Sequence, residues 1–127
     1  MKTFTTSQLA GVAAAIDARD RELRDELEQF GNEKYLDLAG SVHDTGDEAV
    51  ASELIDMERA LIQRHLAELR EIDVARRRLA AGTIDTCEDC GEEIGYKRLI
   101  ASPTAVRCIG CQGRFEKNRL HEARPNM

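Results

Sequence analysis

All four cysteines of the chain stand in two C-x-x-C pairs, Cys87-Glu-Asp-Cys90 and Cys108-Ile-Gly-Cys111. Two residues between cysteines let one tight turn aim both sulfurs at one point. Two such turns facing each other make a tetrahedron, the arrangement zinc takes with thiolates. Gly91 follows the first pair and Gly110 sits inside the second. Glycine supplies the positive φ that such turns often need. Two disulfides or four unrelated buried thiols are the competing readings, and iron in an all-thiolate site is a minor one. The doubled spacing favours zinc. Four thiolates leave no open coordination position, so one Zn2+ held by Cys87, Cys90, Cys108 and Cys111 is structural and has no hydrolytic role. It serves folding, because a segment this short and polar lacks the apolar area to close alone.

The rest of the chain suits long solvated helices better than a thick globular core. Aromatic residues are 4% of the 127 and charged residues 33%. No apolar run is long enough to cross a membrane. Met1-Lys2-Thr-Phe-Thr-Thr lacks the basic and apolar regions of a secretory signal. Paired cysteines without a signal point to a reducing cytoplasm. The net charge of −6 disfavours direct binding to nucleic acid. That charge is unevenly spread: residues 97–127 carry about +5 and residues 1–96 about −11. An acidic body with a basic end suits a protein partner of complementary charge, although solubilising charge alone would look the same.

Two helical seams precede the cysteines. Thr5 and Gln8 have capping-box spacing, with Thr6 and Ser7 as alternative caps. Leu9, Val12, Ile16, Leu23, Leu27 and Phe30 follow at steps of 3, 4 and 7, the narrow seam of a helix packed on one partner. Gly31-Asn32 should weaken or end that stretch, with a further helical piece over 33–40. Gly40 to Asp47 concentrates turn formers and holds the one sharp reversal of this half. A second helix is predicted from near Asp47 to about Ala81, stopped by Gly82. Its seam is Ile55, Ile62, Leu66, Leu69, Ile72 and Leu79, with Leu54, Met57 and Leu61 as a neighbouring row. Arg76, Arg77 and Arg78 suit its carbonyl end. At 1.5 Å per residue such a helix reaches about 50 Å.

The fold class expected is therefore mainly α: a long antiparallel helical hairpin, coiled-coil in character, with a small four-cysteine zinc module and a C-terminal helix. Residues 1–82 form the hairpin, with its tip near 41–49, and 83–127 the module and last helix. Within the module, Ile94–Ile100 reads as a short strand ended by Pro103. The last helix is expected from Gln112 to about Ala123, packed through Phe115 and Leu120.

This arrangement resembles the DksA/TraR family of bacterial transcription factors. The resemblance rests on Cys87-Glu-Asp-Cys90-Gly91-Glu-Glu-Ile94-Gly95, Arg98-Leu99, Pro103-Thr104-Ala105 and Cys108-Ile-Gly-Cys111. A separate match lies at the expected tip, where Asp44-Thr-Gly-Asp47-Glu-Ala49 fits the family's D-x-x-D-x-A signature. The resemblance covers most of residues 20–120. It implies direct binding to RNA polymerase, without DNA contact, and insertion of the coiled coil into the enzyme's secondary channel. Asp44, Asp47 and Ala49 would then be the tip contacts. Carboxylates on a slender rod reach basic groups or a metal ion inside a channel, where charge-assisted bonds are strong. Helix capping is the plainer role for the same two aspartates.

The chain departs from the family where members that respond to ppGpp carry cations. Ser102 precedes the proline, Glu71 stands where those members place a lysine, and Gln112 follows the last cysteine. A pyrophosphate needs cations, so little ppGpp dependence is expected. A zinc-stapled structural adaptor bridging other proteins is the alternative function. An enzyme is not expected: His43, His65 and His121 are scattered, and the tip offers no enclosed pocket. Lys97, Arg98, Arg107 and Arg114 are read as docking or solvated charges rather than a DNA site. A monomer is expected, since one hairpin buries its own seam.

Overall fold

In the computed structural model, which describes residues 4–30 and 48–123 (backbone only at 48–51 and 121–123), Thr5 and Gln8 form a reciprocal cap. The Gln8 N–H donates to Thr5 Oγ1 (3.1 Å) and the Thr5 N–H donates to Gln8 Oε1 (3.0 Å). Two orphan donors of a helix start are thereby satisfied. Helix α1 spans Thr6–Phe30 and helix α2 spans Glu48–Ala81. Gly82 stops α2 as expected. It takes φ +77°, its N–H donates to Leu79 (3.2 Å) and the Thr83 N–H donates to Arg78 (2.9 Å). That is a Schellman closure, which uses glycine for its left-handed residue. Arg78 then donates to the carbonyls of Thr83 (3.0 Å) and Thr86, tying the helix end to the link that follows.

The chain divides into two units. One gathers the described residues up to Ile16 with those from Ile72 onward; the other is Asp17–Glu71. In the second unit α1 and α2 run antiparallel, because rising numbers on one pair with falling numbers on the other. Arg19 forks onto both carboxylate oxygens of Glu68 (2.6 and 2.9 Å), while Glu26 pairs with His65. His65 also donates through Nδ1 to the Leu61 carbonyl (2.8 Å) and meets the Phe30 ring edge-on. Leu23 is fully buried here, whereas Leu54 and Met57 are exposed. The seam is thus narrower than the sequence rows suggest.

In the first unit the core is Phe4, Val12, Ile16, Ile72, Ala75, Ile84, Ile94 and Leu99, with Cys87 and Cys111. Two expectations need correction there. Residues 96–101 are a helix, α3 (Tyr96–Ala101), rather than a strand; among the described residues, Thr86 and Glu93 form a lone antiparallel bridge. Gly95 is the cause: at φ +98° it breaks the extended run after Ile94 and starts a turn closed by Leu99 N–H to Gly95 O (3.2 Å). Helix α4 (Ile109–Ala123) begins before Gln112, because the second cysteine turn is itself helical, with the Gln112 N–H donating to Cys108 O (2.8 Å). Gly110 accordingly shows no positive φ, and Leu120 faces solvent. The expected piece at 33–40 and the reversal up to Asp47 lie outside the described residues. No described helix is long and apolar enough to cross a membrane.

Tyr96 seats the start of α1 on the rest of its unit. Its ring meets Phe4 edge-on at 5.8 Å, and a Cβ at Gly11 would stand 2.4 Å from its hydroxyl oxygen. Overpacking costs about 1–3 kcal/mol, against the roughly 1 kcal/mol that alanine gains over glycine in a helix. Gly11→Ala should therefore lower the stability of the zinc-loaded protein by about 1 kcal/mol in urea unfolding. In a Tyr96→Phe background, where the nearest ring carbon is 3.5 Å away, the same change should turn favourable.

The Arg19 hydrogen bonds hold the Glu68 carboxyl below the usual carboxylate range, against burial, which raises it. A carboxyl lowered on folding contributes stability above its unfolded pKa and loses it as pH falls through the lowered value. Arg19→Met should move the Glu68 titration upward, past its ordinary position because the burial remains; carbon-13 NMR of the carboxyl measures this.

Candidate metal centre

The first cysteine pair lies on a narrow two-stranded turn. The Ile94 N–H donates to Asp85 O (2.8 Å) and the Cys87 N–H to Glu92 O (2.7 Å). At its end Gly91, at φ +78°, lets its N–H fold back to Cys87 O (3.0 Å). The second pair straddles the first turn of α4. The two turns are joined by backbone, the Glu88 N–H donating to Val106 O (2.9 Å). This brings Cys87, Cys90, Cys108 and Cys111 together with all four sulfurs within 4.8 Å of one another.

The donor set fits zinc. All four thiols are free, which removes the disulfide reading. Cys90 and Cys108 stand 3.8 Å apart; a tetrahedron with Zn–S bonds of about 2.3 Å has edges of about 3.8 Å, whereas a disulfide needs about 2 Å. The protonation pattern points the same way. Burial pushes the Cys87 thiol up, but N–H groups of Cys90, Cys108 and Asp89 outweigh it and bring it down to about 6. Cys111 is instead pushed up to about 12, by burial first and then by the sulfurs of Cys108 and Cys90, against the pull of Arg114. One thiolate is provided for by backbone donors, and further ones repel it. A divalent cation among them removes that conflict, since a coordinated thiol is deprotonated outright.

Several arginines that look like surface charges in the sequence belong to this centre. Arg114 donates from Nη2 to the Cys111 sulfur (3.2 Å). Arg98 donates from Nε to the Arg107 carbonyl (2.9 Å). Arg107 pairs with Glu88 and Asp89 and lies over Phe115. An available signal was charge order: two acids inside the first pair and an arginine directly before the second. An open cavity of about 320 Å3, lined by Asp89, Cys90, Cys111, Arg114, Phe115 and Asn118, adjoins the sulfurs. Cys90 is exposed while Cys87 and Cys111 are buried. Asp44 and Asp47 lie outside the described residues, and Ala49 is placed only as backbone in α2.

Known proteins share this design. Residues 80–117 match the prokaryotic dksA/traR C4-type zinc finger. The RNA polymerase-binding transcription factor DksA of Escherichia coli (strain K12) is 31% identical over 106 residues, which cover 84% of this chain and 70% of that protein. The chain belongs to the DksA/TraR family. The DksA of Caulobacter vibrioides (strain NA1000 / CB15N) is 36% identical over 94 residues, covering 73% of this chain and 61% of the relative. The solved transcription factor DksA2 from Pseudomonas aeruginosa superposes with a TM-score of 0.74 at 31% identity, over 91% of this chain and 88% of that one. The family's zinc finger and the clustered sulfurs together indicate one structural zinc, as the cysteine spacing predicts.

Elemental analysis should return one zinc per chain, and Cys111→Ser should abolish stoichiometric loading. Stripping the metal with a chelator should unfold residues 84–111 first, seen as loss of amide-exchange protection there, because the ion's binding energy is part of the folding energy.

Proposed function

We propose that this protein binds RNA polymerase directly and regulates transcription initiation from the cytoplasm, without sequence-specific DNA contact and without catalytic activity of its own. The observation that carries this reading is the likeness to DksA over 84% of the chain, with the metal centre inside the family's zinc-finger match at residues 80–117. The charge pattern supports it. Arg98, Arg107 and Arg114, candidates for a DNA-facing patch, are engaged inside the metal module, which leaves less free positive charge for phosphates.

The finer proposal is that the hairpin, residues 1–82, enters the polymerase's secondary channel while residues 83–127 stay at its mouth. Asp44, Asp47 and Ala49 would then act near the catalytic machinery. The protein works as a monomer and depends little on ppGpp. Glu71 and Ser102 are exposed and uncharged or acidic, and Gln112 donates to Glu116 (3.1 Å), so none of the three offers a cation to a pyrophosphate.

In vitro transcription on a ribosomal-type promoter tests this. Asp44→Asn with Asp47→Asn should abolish the effect on transcription and leave polymerase co-purification intact. Failure to co-purify at all would favour the structural adaptor. Added ppGpp should leave the wild-type effect unchanged; enhancement that Glu71 or Ser102 substitutions blunt would overturn that part.

A further inference from the structure

The two ligand-bearing turns are joined by a second set of contacts that uses no sulfur. Arg107 donates from Nε to Asp89 Oδ2 (2.8 Å) and from Nη2 to Glu88 Oε1 (2.9 Å). Its guanidinium carbon lies 3.9 Å from the centre of the Phe115 ring. Each participant is adjacent to a different ligand. Glu88 and Asp89 fill the gap between Cys87 and Cys90, Arg107 directly precedes Cys108, and Phe115 stands one helical turn after Cys111. Arg107, just before the second turn, thus touches the first turn and the helix that carries Cys111. Only 17% of the Arg107 side chain is exposed, so the fork is partly shielded from water and salt.

We propose that Arg107 is a positioning residue for the zinc: forked between Glu88 and Asp89 and laid on Phe115, it holds the two cysteine turns closed and slows release of the ion. The chemistry requires such a group. Zn2+ with four thiolates carries a net charge of −2, and Glu88 and Asp89 add two more negative charges beside it. Arg107 is the cation placed against both acids. For zinc to leave, the turns must part or one sulfur must swing out, and the exposed Cys90 faces the open cavity that offers that exit. Parting of the turns pulls Asp89 and Glu88 away from Arg107. Groups around the primary ligands typically change metal affinity by 10–100-fold when removed. Glu88 and Asp89 are nearly half exposed, which places the effect at the lower end.

The test follows zinc release from the full-length loaded protein into an excess of chromophoric chelator. Arg107→Met, and separately Glu88→Gln with Asp89→Asn, should each speed release about tenfold. Because both remove one clamp, the triple variant should be no faster than Arg107→Met. Cobalt-substituted samples should keep a tetrahedral thiolate spectrum in every variant, showing that the ligands are intact. Release changed by less than about threefold in both variants, or effects that multiply in the triple, would sink the proposal. Should Arg107→Met fail to take up cobalt, the acid variant decides alone, since it leaves Arg107 on Phe115.

Discussion

Four sulfurs held within 4.8 Å can all be thiolates only with a cation among them. Burial and mutual repulsion push Cys111 far up, while backbone donors already favour the thiolate of Cys87. A fold that creates this conflict and leaves room for zinc to relieve it has made the ion part of its core. The apolar residues around it are few. Ile84, Ile94 and Leu99 flank the first pair, and no tryptophan adds area. Metal ligation therefore replaces apolar burial that a segment of this size does not have.

The unit without cysteines is built on other terms. Between Asp17 and Glu71 the two helices rely on a thin row of apolar residues and on pairs that cross between them, Arg19 with Glu68 and Glu26 with His65. A bidentate arginine fixes orientation as well as adding energy. It selects one register between helices whose apolar seam alone would permit sliding by a heptad. Family membership, with the metal centre and the paired helices each taken by itself, is the basis of the polymerase-binding proposal.

Much of this is legible in the residues, for identifiable reasons. Thr5 with Gln8 and Gly82 after Ala81 are local signals, and local chemistry settles them. The doubled C-x-x-C spacing carries the metal centre because two such turns can aim four sulfurs at one point. The region 94–101 misleads because Ile94, Tyr96 and Ile100 alternate as a strand does, while one glycine at positive φ decides for a helix. Helix α4 starts early because cysteines 108 and 111 are spaced for a turn and for a helix alike. The arginines are misread for a different reason. Arg98 and Arg107 reach acceptors nine and eighteen residues away, which spacing alone does not give, whereas Arg114 binds Cys111 one helical turn back, a local pair hidden only by the late start expected for that helix.

The metal-bearing unit is discontinuous, made of the chain's first helical turns and its later half. Translation delivers those parts at different times. Val12 and Ile16, buried in that unit, leave the ribosome long before Cys108 and Cys111, while both helical segments of the other unit are complete once Glu71 has emerged. The metal-free unit is therefore synthesised whole before the metal-bearing one. Zinc can complete its site only after Cys111 has followed Cys108 out, so a chain cut short of that pair lacks half of the ligand set.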